Sequence, residues 1–278
     1  MVNYRIPASL TEALELMKNG NWLPYAGGTD INCACISGRD LLFIGKLDEL
    51  RQIRKDGEYI RIGAAVTFSE AERSPLVPEI MKAAIRKLAG PAIRNVGTFG
   101  GNLANGSGKA DSALVDLVLD SKLRICSADG ERLADATRFY HARKDVDLKS
   151  GELITEILIP DRAWYINYYY DKVSVRTSIA ISNISVASVW NVQGGVLRDF
   201  SLAVGSATDI PIRCTDIEQE IRGKTLQEIA QIKDRLLTGY IKTLELPLDR
   251  TGIRYRKQVC YRLLNYLINE EFTPIATD

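Results

Sequence analysis

Ala89-Gly90-Pro91-Ala92-Ile93-Arg94-Asn95-Val96-Gly97-Thr98-Phe99-Gly100-Gly101-Asn102-Leu103-Ala104-Asn105-Gly106-Ser107-Gly108-Lys109-Ala110-Asp111-Ser112, followed by the apolar run at residues 113–119, decides how this chain is read. Six glycines (Gly90, Gly97, Gly100, Gly101, Gly106 and Gly108) fall within nineteen residues, among polar hydrogen-bonding neighbours. Glycine lets a backbone approach a bulky ligand closely and supports turns closed to residues that carry a Cβ. Successive N–H groups in such a turn form a concave anion site, the usual cradle for a phosphate. Gly108-Lys109 lacks the preceding spacing of a P-loop, so a nucleoside triphosphate is not the expected ligand.

A second glycine turn stands seventy residues earlier, at Tyr25-Ala26-Gly27-Gly28-Thr29-Asp30-Ile31. Either turn alone could close a hairpin with no ligand present. Together they read as two backbone cradles gripping one extended diphosphate from two sides.

Length and composition bound the rest. The 278 residues are enough for two domains with real cores. Thirty-six Lys plus Arg balance 35 Asp plus Glu, which argues against a nucleic-acid or anionic-membrane surface as the main business. The N-terminal residues are mixed, without the apolar segment of a signal peptide. No apolar run approaches the roughly 20 residues that span a bilayer. Cys33, Cys35, Cys126, Cys214 and Cys260 are dispersed and lack zinc or cluster spacing. They suit a reducing cytoplasm, and a metal site in this chain is not expected.

The pattern predicts a helix from Ser9, with Glu12 completing a capping box, stopped by Gly20. Strands are expected at residues 23–25, 41–44 and 59–63, a helix opened by Thr67 with Glu70, and another over 78–88. Residues 113–119 fit a buried helix or a strand, since so short an apolar run has no decisive period. Asp129-Gly130 signals a hairpin between 123–126 and 131–134, and a strand over 153–159 ends at Pro160. The boundary is expected at 161–165. Beyond it come strands 184–192 and 196–204 around Gln193-Gly194-Gly195, then helices over 226–237 and 253–268. His141 falls in an expected loop, and Tyr165, Tyr168, Tyr169 and Tyr170 read as an amphipathic interface or edge strand.

Taken in order, Ala26-Gly27-Gly28-Thr29-Asp30, Ile93 to Leu103 and Asp111-Ser112 resemble the flavin subunits of the molybdenum hydroxylases, the xanthine dehydrogenase FAD-binding medium-subunit type above all. The likeness covers nearly the whole chain. It implies an α+β fold: a two-part FAD-binding domain of the PCMH, vanillyl-alcohol-oxidase-like kind over 1–163 (subdomains about 1–55 and 56–163), then a smaller domain, 164–278, of antiparallel sheet and helices. It implies FAD held noncovalently, since no attachment His or Cys lies in either cradle. In this family a molybdopterin-binding large subunit hydroxylates the substrate, and [2Fe–2S] clusters on a small subunit feed FAD, which passes electrons to NAD+ or another acceptor. The chain is expected to need both partners.

The resemblance also implies residue roles. The amides of residues 26–31, entered from Tyr25, hold the pyrophosphate, and Thr29 can add a hydroxyl. Asp30 accepts turn N–H groups or a sugar hydroxyl, or caps the next turn. Thr98, Gly101 and Asn102 come from the second turn, with Ser107 nearby. Asp111 binds a cofactor hydroxyl or, alternatively, is the N-cap of the following segment. Leu88 and Ala89 line the flavin or adenine surroundings and Ile154 packs on the ring system, though such residues are core in any case. Lys172 reaches the flavin and raises its potential, or is a solvated strand lysine paired with Asp171 or Glu156; Arg176 can act similarly. Ser178 stands where many members carry an acidic residue. Two other readings remain: a stand-alone flavin-dependent reductase of the same broad fold, and a cofactor-free module whose glycine turns are only turns. The substrate of the complex is not legible in this chain.

Overall fold

Local capping signals start the helices where the sequence places them. Ser9 accepts the Glu12 N–H, and Thr67 with Glu70 and Thr225 with Glu228 each close a reciprocal capping box. The computed structural model describes residues 3–33, 39–174, 182–244 and 252–272. Cys35, Arg176 and Ser178 lie outside the described residues.

In chain order, β1 (Tyr4–Arg5), α1 (Leu10–Asn19), β2 (Trp22–Tyr25) and β3 (Asp40–Phe43) come first. β4 (Ile53–Asp56) and β5 (Tyr59–Gly63) are followed by α2 (Phe68–Arg73), α3 (Glu79–Lys87), α4 (Pro91–Arg94), α5 (Phe99–Ala104) and α6 (Asp111–Val118). Then come β6 (Lys122–Ser127), β7 (Gly130–Asp135), the short β8 (Tyr140–Ala142) and β9 (Asp145–Val146), and β10 (Leu153–Pro160). β11 (Tyr168–Ser174), β12 (Ser182–Gln193), β13 (Val196–Gly205) and β14 (Ile212–Arg213) precede α7 (Thr215–Ile221), α8 (Leu226–Thr243) and α9 (Ile253–Tyr266). Among the described residues no helix is long and apolar enough to cross a membrane.

Two compact units result, interleaved in sequence. The first comprises Met1–Val77, Leu88–Ser107 and Asp120–Asp161; the second, Pro78–Lys87, Gly108–Leu119 and Arg162–Asp278.

In the first unit a parallel sheet, β1-β3-β2, carries α1, whose Ala13 and Met17 pack with Leu42 and Leu50. An antiparallel sheet follows in the order β4-β5-β10-β6-β7. β10 is its central strand, and seven of its eight residues are buried. That burial includes Glu156, which Arg54, Arg61 and Arg124 approach at 2.7, 3.3 and 3.1 Å. A carboxylate is tolerated there because three guanidinium groups offset its desolvation. The expected hairpin of β6 and β7 forms, but its turn is Ala128-Asp129 and not Asp129-Gly130, since Gly130 begins β7 opposite Ser127.

The second unit is built on the antiparallel sheet β11-β12-β13-β14. β12 runs one residue further than its apolar pattern, so Gln193 is strand and the turn is Gly194-Gly195, with φ of 58° and 74°. Both residues then adopt the left-handed region that such two-residue turns require. Ile184, Val186 and Trp190 pack with Leu263, Leu264 and Phe272, while α6 lies on β12 and β13 and α3 on β11. Residues 113–119, ambiguous by period, are mostly helix, and every residue of α6 is buried, the polar Asp111, Ser112 and Asp116 included. Tyr168, Tyr169 and Tyr170 lie on β11, the edge strand. His141 is in β8 rather than a loop, and is exposed.

Candidate functional site

The first glycine turn leaves the end of β2 and leads into a 3-10 turn at Ile31–Cys33. The Tyr25 ring packs on Phe43, and its hydroxyl donates to Asn32 Oδ1 at 3.2 Å. Asn32 N–H donates to the Gly28 carbonyl at 2.9 Å, closing the turn. Gly28 has φ of 68°, a conformation that favours glycine. Among the described residues the N–H groups of Gly27 and Gly28 have no backbone acceptor. Thr29 and Ile31 are half-buried and Asp30 is exposed.

Gly27 brings the two distant turns together. A Cβ built on it would stand 1.7 Å from the carbonyl oxygen of Val96 and 3.1 Å from the Gly97 nitrogen. Only a residue without a side chain lets the main chains meet there. The predicted convergence of the turns at 26–31 and 97–102 is therefore a packing fact of the first unit.

The second turn is built differently. Gly97 N–H donates to Ile93 at 2.7 Å, Phe99 N–H to Val66 at 3.2 Å and Gly100 N–H to Ala64 at 2.8 Å. Thr98 is the N-cap of α5 and accepts the Gly101 N–H at 3.2 Å. The N–H groups of Gly97, Phe99, Gly100, Gly101 and Asn102 are thus engaged within the protein, and that of Thr98 has no backbone acceptor among the described residues. Beyond that one amide the turn presents side chains: the hydroxyl of Thr98, whose O–H can still donate, Asn102, and Ser107 further on.

Leu88 and Ile154 are core residues of this unit. Ala89 has φ of 31°, strained for a residue with a Cβ. Arg94 holds it there, donating to the carbonyls of Leu88 and Ala89 at 3.2 and 2.9 Å. Arg94 lies inside the glycine-rich stretch, but nothing local points to those two carbonyls.

Asp111 and Lys172 belong to the second unit, and they meet each other. The Lys172 ammonium donates to Asp111 Oδ2 at 2.8 Å, with side chains only 6 % and 8 % exposed. Neither alternative pairing of Lys172 holds. Asp171 instead accepts the backbone N–H of Lys172 at 2.8 Å and pairs with Lys87, while Glu156 is held by arginines. The N-cap alternative for Asp111 also fails: Ala110 is the cap, and Asp111 occupies the first turn, where the helix dipole favours a negative charge. Tyr170 donates to Asp111 Oδ1 at 2.7 Å. Burial, and then the Asp111 charge, push its phenol well above the ordinary value, so it is a permanent donor. Sequence reasoning assigns Tyr170 to packing, because its partner lies 59 residues away.

The two turns of the first unit have the chemistry that a dinucleotide requires. Backbone amides in a left-handed glycine turn accommodate a diphosphate, and hydroxyl and amide side chains accommodate polar groups beside it.

Comparison with known proteins agrees. Residues 1–162 match the family described as FAD binding domain in molybdopterin dehydrogenase, and residues 168–270 match the CO dehydrogenase flavoprotein C-terminal domain. The xanthine dehydrogenase FAD-binding subunit of Escherichia coli O157:H7 is 32 % identical over 248 residues, covering 84 % of this chain and 85 % of its own length. The glyceraldehyde dehydrogenase medium chain of Sulfolobus acidocaldarius is 29 % identical over 260 residues, 90 % and 91 % of the two chains. The fold matches the crystal structure of quinoline 2-oxidoreductase from Pseudomonas putida 86 with a TM-score of 0.88 at 23 % identity, over 98 % of this chain and 96 % of that one. With two glycine turns pressed together and family matches along most of its length, this chain belongs to the FAD-binding medium subunits of the molybdenum hydroxylase family.

Proposed function

We propose that this chain is the FAD-binding subunit linking [2Fe–2S] clusters on a small partner subunit to NAD+ or another electron acceptor, in a complex whose molybdopterin-binding large subunit performs the hydroxylation. The observation that carries the reading is Gly27, pressed on Val96 while its N–H, like that of Gly28, has no backbone acceptor among the described residues. When bound, FAD supplies electron exchange in steps of one or two.

The chain's own task is to hold and tune. The amides of Ala26, Gly27, Gly28, Asp30 and Ile31, with Thr29, take the diphosphate, and Tyr25 stiffens the entry to the turn. Thr98, Asn102 and Ser107 add polar contacts, and Gly101 keeps the approach to them open. Leu88, Ala89 and Ile154 line the flavin's surroundings. A cytoplasmic setting fits the free thiols of Cys126, Cys214 and Cys260.

The test begins with the purified chain. It is expected to be yellow, or to become so on FAD addition, and to gain thermal protection from FAD. A folded chain that stays colourless and unprotected at saturating FAD overturns the proposal. Co-purification of a molybdopterin subunit and a cluster-bearing subunit tests the partner half. Activity of the isolated chain with NADPH and a small substrate would instead support a stand-alone reductase.

A further inference from the structure

We propose that the outer edge of β11 is a docking site for an extended segment of another polypeptide, one with an acidic, an apolar and a basic residue at alternate positions. The site lies within the second unit and does not depend on FAD. Trp190 N–H donates to the Asn167 carbonyl at 3.1 Å, just before β11 begins. Antiparallel bonding alternates, so Tyr169, Asp171 and Val173 bond β12, while Tyr168, Tyr170 and Lys172 turn their N–H and C=O groups outward. The Lys172 N–H is taken by Asp171 Oδ1, and Asp171 is paired with Lys87. That end of the edge is thereby blunted, as proteins do with exposed strands. The N–H groups of Tyr168 and Tyr170 have no acceptor among the described residues.

A cavity of about 540 Å³ opens onto this free end, lined by Tyr168, Tyr169, Tyr170 and Asp171 alike. Alternate residues of a strand face opposite sides, so a cavity that meets all four lies over the strand's edge. Its other wall is α9 and the π-helical turn that continues it, which present Arg262, Tyr266 and Glu271. Among the described residues Arg262 and Glu271 have no hydrogen bond or ion pair. Tyr169 is 8 % exposed, its ring lies 5.9 Å from that of Tyr266, and its hydroxyl has no partner among the described residues. Burial, then Asp171, Glu271 and Tyr266, push that phenol above its ordinary value, so it stays a donor. A buried tyrosine hydroxyl ordinarily has a partner.

This array fixes the chemistry of the occupant. Arg262 and Glu271 are nine residues apart, roughly 13 Å along a helix, and four residues of extended chain also span roughly 13 Å. Residues i, i+2 and i+4 of a strand share one face. A strand laid on Tyr168 and Tyr170 can therefore set a carboxylate at Arg262, an apolar side chain at Tyr266 and a cation at Glu271. In strand addition, main-chain bonds give affinity and alternate side chains give selectivity.

The test uses the full chain and two blocked peptides, Ac-Thr-Glu-Thr-Leu-Thr-Lys-Thr-NH2 and its reversed sequence, which cover both strand directions. In backbone-amide NMR one of them is expected to shift the Tyr168 and Tyr170 amides, with a dissociation constant on the order of 0.1–1 mM. Methylating the three central peptide nitrogens is expected to abolish binding. Arg262→Glu is expected to weaken it about tenfold and to restore it for a peptide whose glutamate is changed to lysine. Glu271→Lys, with the peptide lysine changed to glutamate, is the matching pair if Arg262→Glu does not fold. Unshifted amides with both peptides at about 1 mM, or binding indifferent to methylation or to the charge reversals, overturns the proposal. Dimerisation that shifts the same amides without peptide also overturns it, since the occupant is then a second copy.

Discussion

The glycines of the turn at 26–31 and those of the turn at 97–102 answer different packing problems. In the first, Gly27 lets main chain meet main chain, and its N–H and that of Gly28 remain without backbone acceptors among the described residues. In the second, Gly100 also permits a close approach, since its Cβ would stand 2.6 Å from the Ala64 Cβ. Its N–H, however, is bound to the Ala64 carbonyl, and that of Gly101 to Thr98. The lesson is that glycine content alone does not make an anion cradle. Donors must also be left over once the turn has satisfied itself.

Substitutions can break this comparison. The largest effect is expected from Gly27→Ala, whose methyl group would overlap the Val96 carbonyl. Separating two main-chain segments should cost about 3 kcal/mol or more in urea unfolding, and FAD titration of any folded fraction should show binding lost. Full stability and normal affinity in this variant would disprove the contact between the turns. Gly100→Ala should destabilise by about 2 kcal/mol through the clash with Ala64, while the folded fraction keeps FAD affinity within about tenfold. Loss of FAD binding at unchanged stability would reverse the roles assigned to the two turns.

Thr98→Val removes the cap of α5 and should cost about 1 kcal/mol by the same unfolding assay. A several-fold loss of FAD affinity beyond that would show that its O–H reaches the ligand. The smallest effect concerns Glu70, in the capping box of α2 beside Thr67, which bridges to Thr98. Burial pushes its carboxyl up, but the Thr67 N–H and hydroxyl and the Arg51 guanidinium together outweigh burial, leaving it below its ordinary 4.5. A depressed carboxyl contributes stability that is fully present above the unfolded value and lost as pH falls through the folded one. Wild type should therefore exceed Glu70→Gln by a few tenths of a kcal/mol near neutrality, because the half-buried group is still partly screened by solvent. That difference should vanish in acid, and a gap that persists there would rule out the ionic contribution.

Arginine supplies a further contrast within the first unit. Arg94 is committed to two carbonyls that hold a left-handed Ala89, whereas Arg54, Arg61 and Arg124 converge on the carboxylate of Glu156. The first arrangement shapes a loop and the second lets a strand be buried on both faces. Composition, with nearly equal acids and bases, distinguishes neither.

Signals that act over a few residues were determined by the sequence itself. The caps at Ser9, Thr67 and Thr225, the Gly194-Gly195 turn and the turn at 26–31 are each closed by neighbours within about one turn of chain. The family likeness rests on the same short stretches, which is why an FAD site is legible in the linear order of residues. Only the tertiary structure decided that residues 113–119 are mostly helix, and that α3 and α6 join the C-terminal sheet. It alone showed that Lys172 and Tyr170 share Asp111 across 61 and 59 residues, and that Gly100 donates to Ala64 across 36. The reason is physical: a cap is satisfied inside its own turn, while the partner of a buried charge or a free amide depends on which distant backbone packing brings alongside.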